Sequence, residues 1–339
     1  MRNFKKILLT CVAFVLLVGL LSIGFMEVYF RTEYDVFQDG SERDALAGTI
    51  DCLYCGASHG YRAFKPSVID PILGTRSYNL SGAMMTMQGR YELLRDEIER
   101  NPVKQVYLEV SFGTMTRNRV EEGPEGDLYT LARLNGFSRR ADYFFRCFSV
   151  EEYPDVYRQF LSLGIDAALQ LFRGQKADHS RRDRGYVPAG IRTMEFDTNY
   201  TVIFHSKKYP TQIDPYNQEY LDKILALCQA HDIEVILVTT PLSKTALCQS
   251  VNLQYFYEWY RDFAKERGLR FYDFNLYREK ERLFPDETMF YDTLHFNDEG
   301  ASLFSRLFAE LMVRADSGED LSDLFFATYP AMEDAVFGT

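Results

Sequence analysis

The feature that most restricts this chain is a run from Ile7 to Met26 without a single charged side chain. A helix needs about 20 apolar residues to cross the hydrocarbon of a bilayer, because its backbone polar groups must all be satisfied internally there. The run meets that length, so residues 1–30 are expected to form a transmembrane anchor. Arg2, Lys5 and Lys6 precede the run, whereas Glu27, Glu33, Asp35 and Asp39 outnumber Arg31 after it. The positive-inside bias then keeps the N-terminus cytoplasmic and puts everything from about Tyr29 outside, which makes the chain a single-pass cell-membrane protein with an extracytoplasmic domain. A cleaved signal peptide is the competing reading. The run is long for one, however, and no small-x-small cleavage site follows it cleanly.

Composition narrows the class of partner. A net charge of −11 across 339 residues argues against nucleic acid, since phosphate affinity comes from clustered Lys and Arg that release counterions. Hydrophobic residues make up 46%, ample for a buried core. The six cysteines are scattered, and their spacing suggests no disulfide framework. Cys52 and Cys55 form a C-x-x-C; on a strand they point to opposite faces, and no second pair supplies zinc ligands. None of the five histidines pairs at metal-ligand spacing. Neither metal nor cofactor is expected.

Beyond a polar, irregular juxtamembrane linker over 31–46, the pattern alternates strand and helix. Thr49 to Gly56, Arg76 to Leu80, Gln105 to Val110, Ile233 to Thr240 and Leu269 to Phe274 read as strands. The run Ile233-Glu-Val-Ile-Leu-Val is nearly all apolar, as in a strand buried on both faces. Helical spacing covers Met84 to Arg100, the segment around Tyr220 to Cys228, Tyr255 to Lys265 and Ala301 to Val313. Parallel neighbours need crossovers, so this order predicts a three-layer α/β/α fold around a five-stranded, mostly parallel, flavodoxin-like sheet with ligands at its carboxyl edge. The domain is expected over 47–315, with a helical insertion at 114–216 that includes a basic loop from Lys176 to Arg184. An acidic tail over 316–339 carries no recognisable chemistry.

Two short motifs flank this domain. The first strand runs into Gly56-Ala57-Ser58-His59-Gly60, which places Ser58 on the ligand edge. Taken alone, such a serine is often only a helix N-cap. Near the other end, Asp292-Thr-Leu-His295-Phe-Asn297 precedes the last helix. A serine hydroxyl becomes a useful nucleophile when a base accepts its proton, and the base works best when a carboxylate fixes its tautomer. Asp292 and His295 can supply both groups from one turn, although an isolated D-x-x-H is more often a turn cap beside an ordinary histidine.

In combination, a strand-ending G-x-S at the domain start and D-x-x-H before the final helix resemble the SGNH (GDSL-type) hydrolases, from about Ile50 to Val313 with the insertion unmatched. The resemblance implies Ser58 as nucleophile, His295 as base and Asp292 as its orienter. It also implies an oxyanion hole built from the serine N–H, a second-block glycine and a third-block asparagine. Asn79-Leu-Ser-Gly82 resembles the second block and assigns Gly82, with Asn79 beside it. The third block should fall in Glu109-Val-Ser111-Phe-Gly113-Thr, where no asparagine stands. Ser111 is a candidate by position, or it only ends the strand. His59 and Arg62 are close enough in sequence to touch a substrate anion, or serve as packing residues.

An outward-facing domain on one N-terminal helix, with serine followed by histidine, resembles the branch that includes DltD-type teichoic-acid D-alanylation proteins and polysaccharide O-acetylation proteins. That branch implies transfer or hydrolysis of a small acyl ester on an acylated cell-envelope polymer, beside a membrane-bound O-acyltransferase. A non-catalytic envelope assembly factor that keeps the fold is the rival reading.

Overall fold

The structure is a computed structural model that describes residues 2–32, 39–116, 124–174, 182–190, 212–250 and 252–338. Parts of the expected linker (33–38) and insertion (117–123, 175–181 and 191–211) lie outside the described residues, as do His179, His205 and most of the basic loop. The described residues fall into two compact units, one of Met1–Ser41 with Leu131–Ser180 and one of Glu42–Thr130 with Arg181–Thr339.

The larger unit holds the sheet. Strands β1 (Cys52–Cys55), β2 (Ser77–Asn79), β3 (Gln105–Glu109), β4 (Glu234–Thr239) and β5 (Arg270–Asp273) lie in the order β2-β1-β3-β4-β5. Every neighbouring pair is parallel, with registers such as Leu53↔Val106 and Leu237↔Phe271. The sheet therefore matches the expected α/β class, and the expected "mostly" parallel sheet is wholly parallel.

One face of the sheet packs Cys52, Tyr54, Tyr107, Ile236 and Val238 against Phe304, Phe308 and Met312 of the helix Asp298–Asp316. Tyr54 stacks between Phe64 (4.7 Å) and Tyr107 (5.5 Å), the offset ring geometry that adds to simple burial. Cys55, three residues from Cys52, points the other way, as strand alternation requires. All six cysteines are free thiols, five of them buried. Helices Met87–Ile98 and Pro215–Ala230 pack on each other, with the Tyr91 and Tyr220 rings 5.9 Å apart. Their starts are built as the sequence directs: Thr86 and Asp214 accept the orphan N–H groups of Gly89 and of Tyr216 and Asn217.

Three stretches differ from expectation. The linker is not irregular throughout, because Gly40–Leu46 is a helix. Its Arg43 is fully buried, with Nη1 2.8 Å from Glu97 Oε1 and 3.8 Å from Asp96 Oδ2. A charge buried with its partner looks solvated in a sequence, since the partner lies in another element. Second, residues 182–190 of the expected insertion belong to the sheet unit: Arg184 O accepts from Asn79 N–H at 2.8 Å, and Tyr186 OH donates to Asp298 at 2.9 Å. Third, the tail does not stop short of the fold. Its helix Tyr329–Phe337 buries Tyr329 and Met332 among Leu242, Leu247, Leu253 and Leu276.

The smaller unit contains the helix Arg2–Thr32, which is long and apolar enough to cross a membrane, together with helices Phe137–Cys147 and Tyr153–Phe172. The last packs closely on the first at Gly164, where a Cβ would lie 2.2 Å from the Phe25 carbonyl oxygen. Phe160 lies against Tyr29 and Phe30, at 6.0 and 5.3 Å between ring centres. Two of the acids that follow the apolar run are paired inside this unit, Glu27 with Arg140 (2.5 Å) and Asp39 with Arg133 (2.6 Å).

Candidate active site

Ser58 opens the short helix Ser58–Tyr61 immediately beyond β1. It is not the N-cap; that position is Ala57, whose side chain can cap nothing. The hydroxyl is thus left for other work, and Ser58 Oγ lies 2.8 Å from His295 Nε2. The opposite ring nitrogen, His295 Nδ1, is 2.9 Å from both carboxylate oxygens of Asp292. The structure brings these three residues into one hydrogen-bonded line.

The Asp292 turn is largely self-contained. Asp292 Oδ1 also accepts the N–H groups of Leu294 (2.8 Å) and His295 (2.9 Å). Partial burial pushes the Asp292 carboxyl up, but bonds from the His295 ring and from these two N–H groups outweigh it and hold the carboxyl below its ordinary range. The loop is fixed from outside as well. Phe290 and Phe296 stack at 4.7 Å, and Ser243 Oγ donates to the Thr293 carbonyl at 2.7 Å. Asn297, three residues after Asp292-Thr-Leu, caps the helix Asp298–Asp316 by accepting Gly300 N–H, while its amide donates to Thr288 O.

Beside Ser58 lies a buried ionic group. Glu109, at the end of β3 and fully buried, accepts the Ala57 N–H through Oε2 at 2.9 Å. Arg90, also fully buried, places Nη2 3.5 Å from the same oxygen and donates through Nη1 to the Glu109 carbonyl. Gly56 has to be glycine here, since a Cβ would fall 2.5 Å from Glu109 Cβ and 2.7 Å from Oε2. His59 completes the arrangement: Nδ1 is 3.8 Å from Glu109 Oε1, and its ring centre is 5.4 Å from that of His295.

The expected oxyanion residues are arranged differently from the sequence reading. Gly82 N–H donates to the Gly56 carbonyl at 3.1 Å and so is already engaged. Asn79 is fully buried, its amide donating to the Gly60 and Phe64 carbonyls and its oxygen accepting Ser81 N–H. A short polar motif at a strand end reads the same whether it faces a ligand or ties two loops together, and here it ties loops. Ser111 Oγ is 2.9 Å from Thr114 Oγ1. Arg62 donates to the Val187 carbonyl at 2.8 Å and sits 5.8 Å from the centre of the Tyr291 ring, beside Asp292.

Next to His59 is a cavity of about 20 Å³, room for about one water, lined also by Ser111, Thr239, Asp273, Asn275 and Tyr329. Burial drives the Asp273 carboxyl up to about 6 despite its bonds from Tyr329 and Asn275. A far larger open groove of about 780 Å³ runs beside β5, past Tyr272, Arg278 and Phe325. It includes neither Ser58 nor His295. Among the described residues, no three His, Cys, Asp or Glu side chains are grouped to hold a metal ion.

Sequence reasoning missed Arg90 and Glu109. One signal was present: Glu109 interrupts the apolar end of Gln-Val-Tyr-Leu-Glu-Val, and an acid in a doubly covered strand has to meet a cation. Which cation it meets is not visible in one sequence.

No protein-family model matches the chain, and no curated protein matches it. Among solved structures, it is similar to a protein from Desulfitobacterium hafniense described as lipolytic and of the G-D-S-L family, at 12% identity and a TM-score of 0.41 over 78% of this chain and 99% of that one. It is also similar to a protein from Bacteroides fragilis described as an acylhydrolase, at 9% identity and 0.38 over 84% and 98%. A third, from Streptococcus pneumoniae and described as a platelet activating factor, is 10% identical at 0.41 over 88% and 99%. Likenesses this loose transfer no residue role.

Proposed function

We propose that this chain is a membrane-anchored, outward-facing serine esterase or O-acyltransferase of SGNH type, acting on acyl esters of cell-envelope polymers through an acyl-Ser58 intermediate. The observation that carries the reading is the Ser58–His295–Asp292 line, with contacts of 2.8 and 2.9 Å. Ser58 Oγ attacks the acyl carbonyl while His295 Nε2 takes its proton, and Asp292 stabilises the imidazolium that forms. Collapse of the tetrahedral species expels the alcohol, protonated by His295, and leaves the acyl group on Ser58. Water or an acceptor hydroxyl then attacks, its proton passing to His295, and Ser58 is regenerated. Water as acceptor makes the chain an esterase; a polymer hydroxyl makes it a transferase.

A fluorophosphonate tests the reading directly. It should label the wild-type chain and fail to label Ser58→Ala; equal labelling of both removes Ser58 as nucleophile. The location is tested on intact cells, where an external protease should digest the domain and leave a short N-terminal fragment in the membrane.

A second reading draws on a specific observation: the Gly82 N–H and the Asn79 amide are both engaged within the protein. Loss of one oxyanion donor costs about 10²–10³ in rate. A scaffold that partners a membrane-bound O-acyltransferase fits that shortage. Full complementation of a deletion strain by Ser58→Ala would favour the scaffold; loss of complementation favours the enzyme.

A further inference from the structure

We infer that Glu109 is a positioning residue that acts on the reaction through His59, so that a second carboxylate–imidazole pair stands beside the first. The inference deepens the serine-nucleophile reading and rests on it. Its starting point is the end of β3, where an oxyanion donor was expected and a buried Glu109 is found instead.

The carboxylate divides its two oxygens between two tasks. Oε2 takes the Ala57 N–H at 2.9 Å and faces Arg90 at 3.5 Å, which fixes the backbone one residue before the nucleophile. Oε1 faces His59 Nδ1 at 3.8 Å. A carboxylate at this range favours an imidazole that carries its proton on the facing nitrogen, and favours the charged ring over the neutral one. The ring so held borders both the catalytic imidazole, 5.4 Å away centre to centre, and the small cavity at the carboxyl edge of the sheet.

When the Glu109 carboxylate holds that ring protonated, the result is a positive group one residue from Ser58 with a side chain only 14% exposed, an electrostatic group of the kind that stabilises a developing oxyanion without reorganising. It offers in field what the engaged Gly82 N–H and the absent asparagine do not offer in hydrogen bonds. Each imidazole has its own carboxylate, Asp292 for His295 and Glu109 for His59, which offsets the repulsion between two charged rings in the transition state.

The arrangement makes Glu109→Gln an informative variant. Its amide oxygen can keep the Ala57 N–H and the Arg90 side, leaving its NH₂ toward His59 Nδ1. That nitrogen would then have to accept a hydrogen bond, which only a neutral ring can do. Packing is kept while the preference of His59 is reversed.

The experiment is a double-mutant cycle on the full chain, with p-nitrophenyl acetate as substrate and fluorophosphonate labelling rate as a second readout. Glu109→Gln and His59→Gln should each lower kcat by about 10- to 100-fold with KM little changed, on the scale of a weakened oxyanion contact. The double variant should be no slower than either single, because residues that act as a unit are non-additive. Effects that multiply, or a loss confined to KM, would overturn the inference. Should Glu109→Gln not fold, Glu109→Gln combined with Arg90→Met removes both buried charges and takes its place in the cycle. Wild type that resists labelling sinks the nucleophile reading and this inference together; labelled wild type with multiplying variants sinks only the inference.

Discussion

Ser58 Oγ and His295 Nε2 are 2.8 Å apart although 237 residues of chain separate them. The contact is set from both sides. Glu109 fixes the turn before Ser58, and the Phe290–Phe296 stack and Ser243 fix the loop that carries Asp292 and His295. Each support can be removed separately, and the outcomes differ.

Asp292→Asn keeps the size of the side chain but offers Nδ1 the wrong partner, which favours the tautomer with the proton on the serine side. In a serine triad the analogous change costs about 10⁴ in kcat. The expected result here is a loss of about 10³–10⁴ in p-nitrophenyl acetate turnover, with the unfolding midpoint in urea little changed. Turnover within a few-fold of wild type would show that Asp292 does not orient His295.

Gly56→Ala should destabilise the fold as well as slow labelling. The added methyl falls 2.5 Å from Glu109 Cβ, on a fully buried side chain that Arg90 and Ala57 already hold. Overpacking of this kind costs about 1–3 kcal/mol, readable as a lower urea midpoint at unchanged slope. An unchanged midpoint would mean that Glu109 can move aside.

Arg43→Ala tests the buried pair between the helix Gly40–Leu46 and Glu97. Burial already pushes the Glu97 carboxyl up, against the pull of Arg43 and Arg100. Without Arg43 the charge keeps only Arg100, 3.6 Å away, and the Asn101 amide at 2.8 Å, so the cost is at most about 3–5 kcal/mol. The sign of the pH dependence follows. A carboxyl raised in the folded state binds more protons folded than unfolded, so the loss should shrink on acidification from about pH 7 to about pH 5. A loss independent of pH would argue against Glu97 as the group affected.

Asp273 makes the matching prediction at the other end of the sheet. Its carboxyl is raised to about 6, so the folded state loses stability as pH climbs from about 4 to 6, and the full penalty holds above that window. Asp273→Asn should flatten this slope, worth about 3 kcal/mol at most. Amide exchange in Tyr329–Phe337, tied to Asp273 through the Tyr329 hydroxyl at 2.9 Å, reads the same change locally. Asp292 has the opposite sign, since its carboxyl is lowered and its contribution disappears as acid protonates it.

The strands were legible because their signal is local. Val235 to Val238 is a short run of β-branched and apolar residues that suits a doubly covered strand, and Gly268 stops its helix with the left-handed backbone (φ 66°) that glycine adopts freely. The meeting of Ser58, His295 and Asp292 was legible because both motifs sit at strand and helix ends that local patterns locate. Burial of charge was not. The ion pairs of Arg43, Arg90 and Glu109 become visible only when partners, 54 residues away for Arg43 and 19 for Arg90, are brought to them by the fold. Asn79 and Gly82 failed for a related reason: the sequence shows that polar groups stand at a strand end, not whether they face inward. The tail misled through its acids, which hide Tyr329 and Met332 at helical spacing.

The order of the strands has a consequence in time. β1 sits inside the sheet, flanked by β2 and β3, and delivers Ser58 early in the chain, whereas β5 and the His295 loop come near its end. Synthesis proceeds from the N-terminus, so a growing polypeptide carries Ser58 without its His295–Asp292 partners until the segments that hold them have emerged and docked. On the proposed chemistry, such a nascent molecule lacks the base that activates its serine. On that chemistry, reactivity waits for the His295 loop to be made and docked.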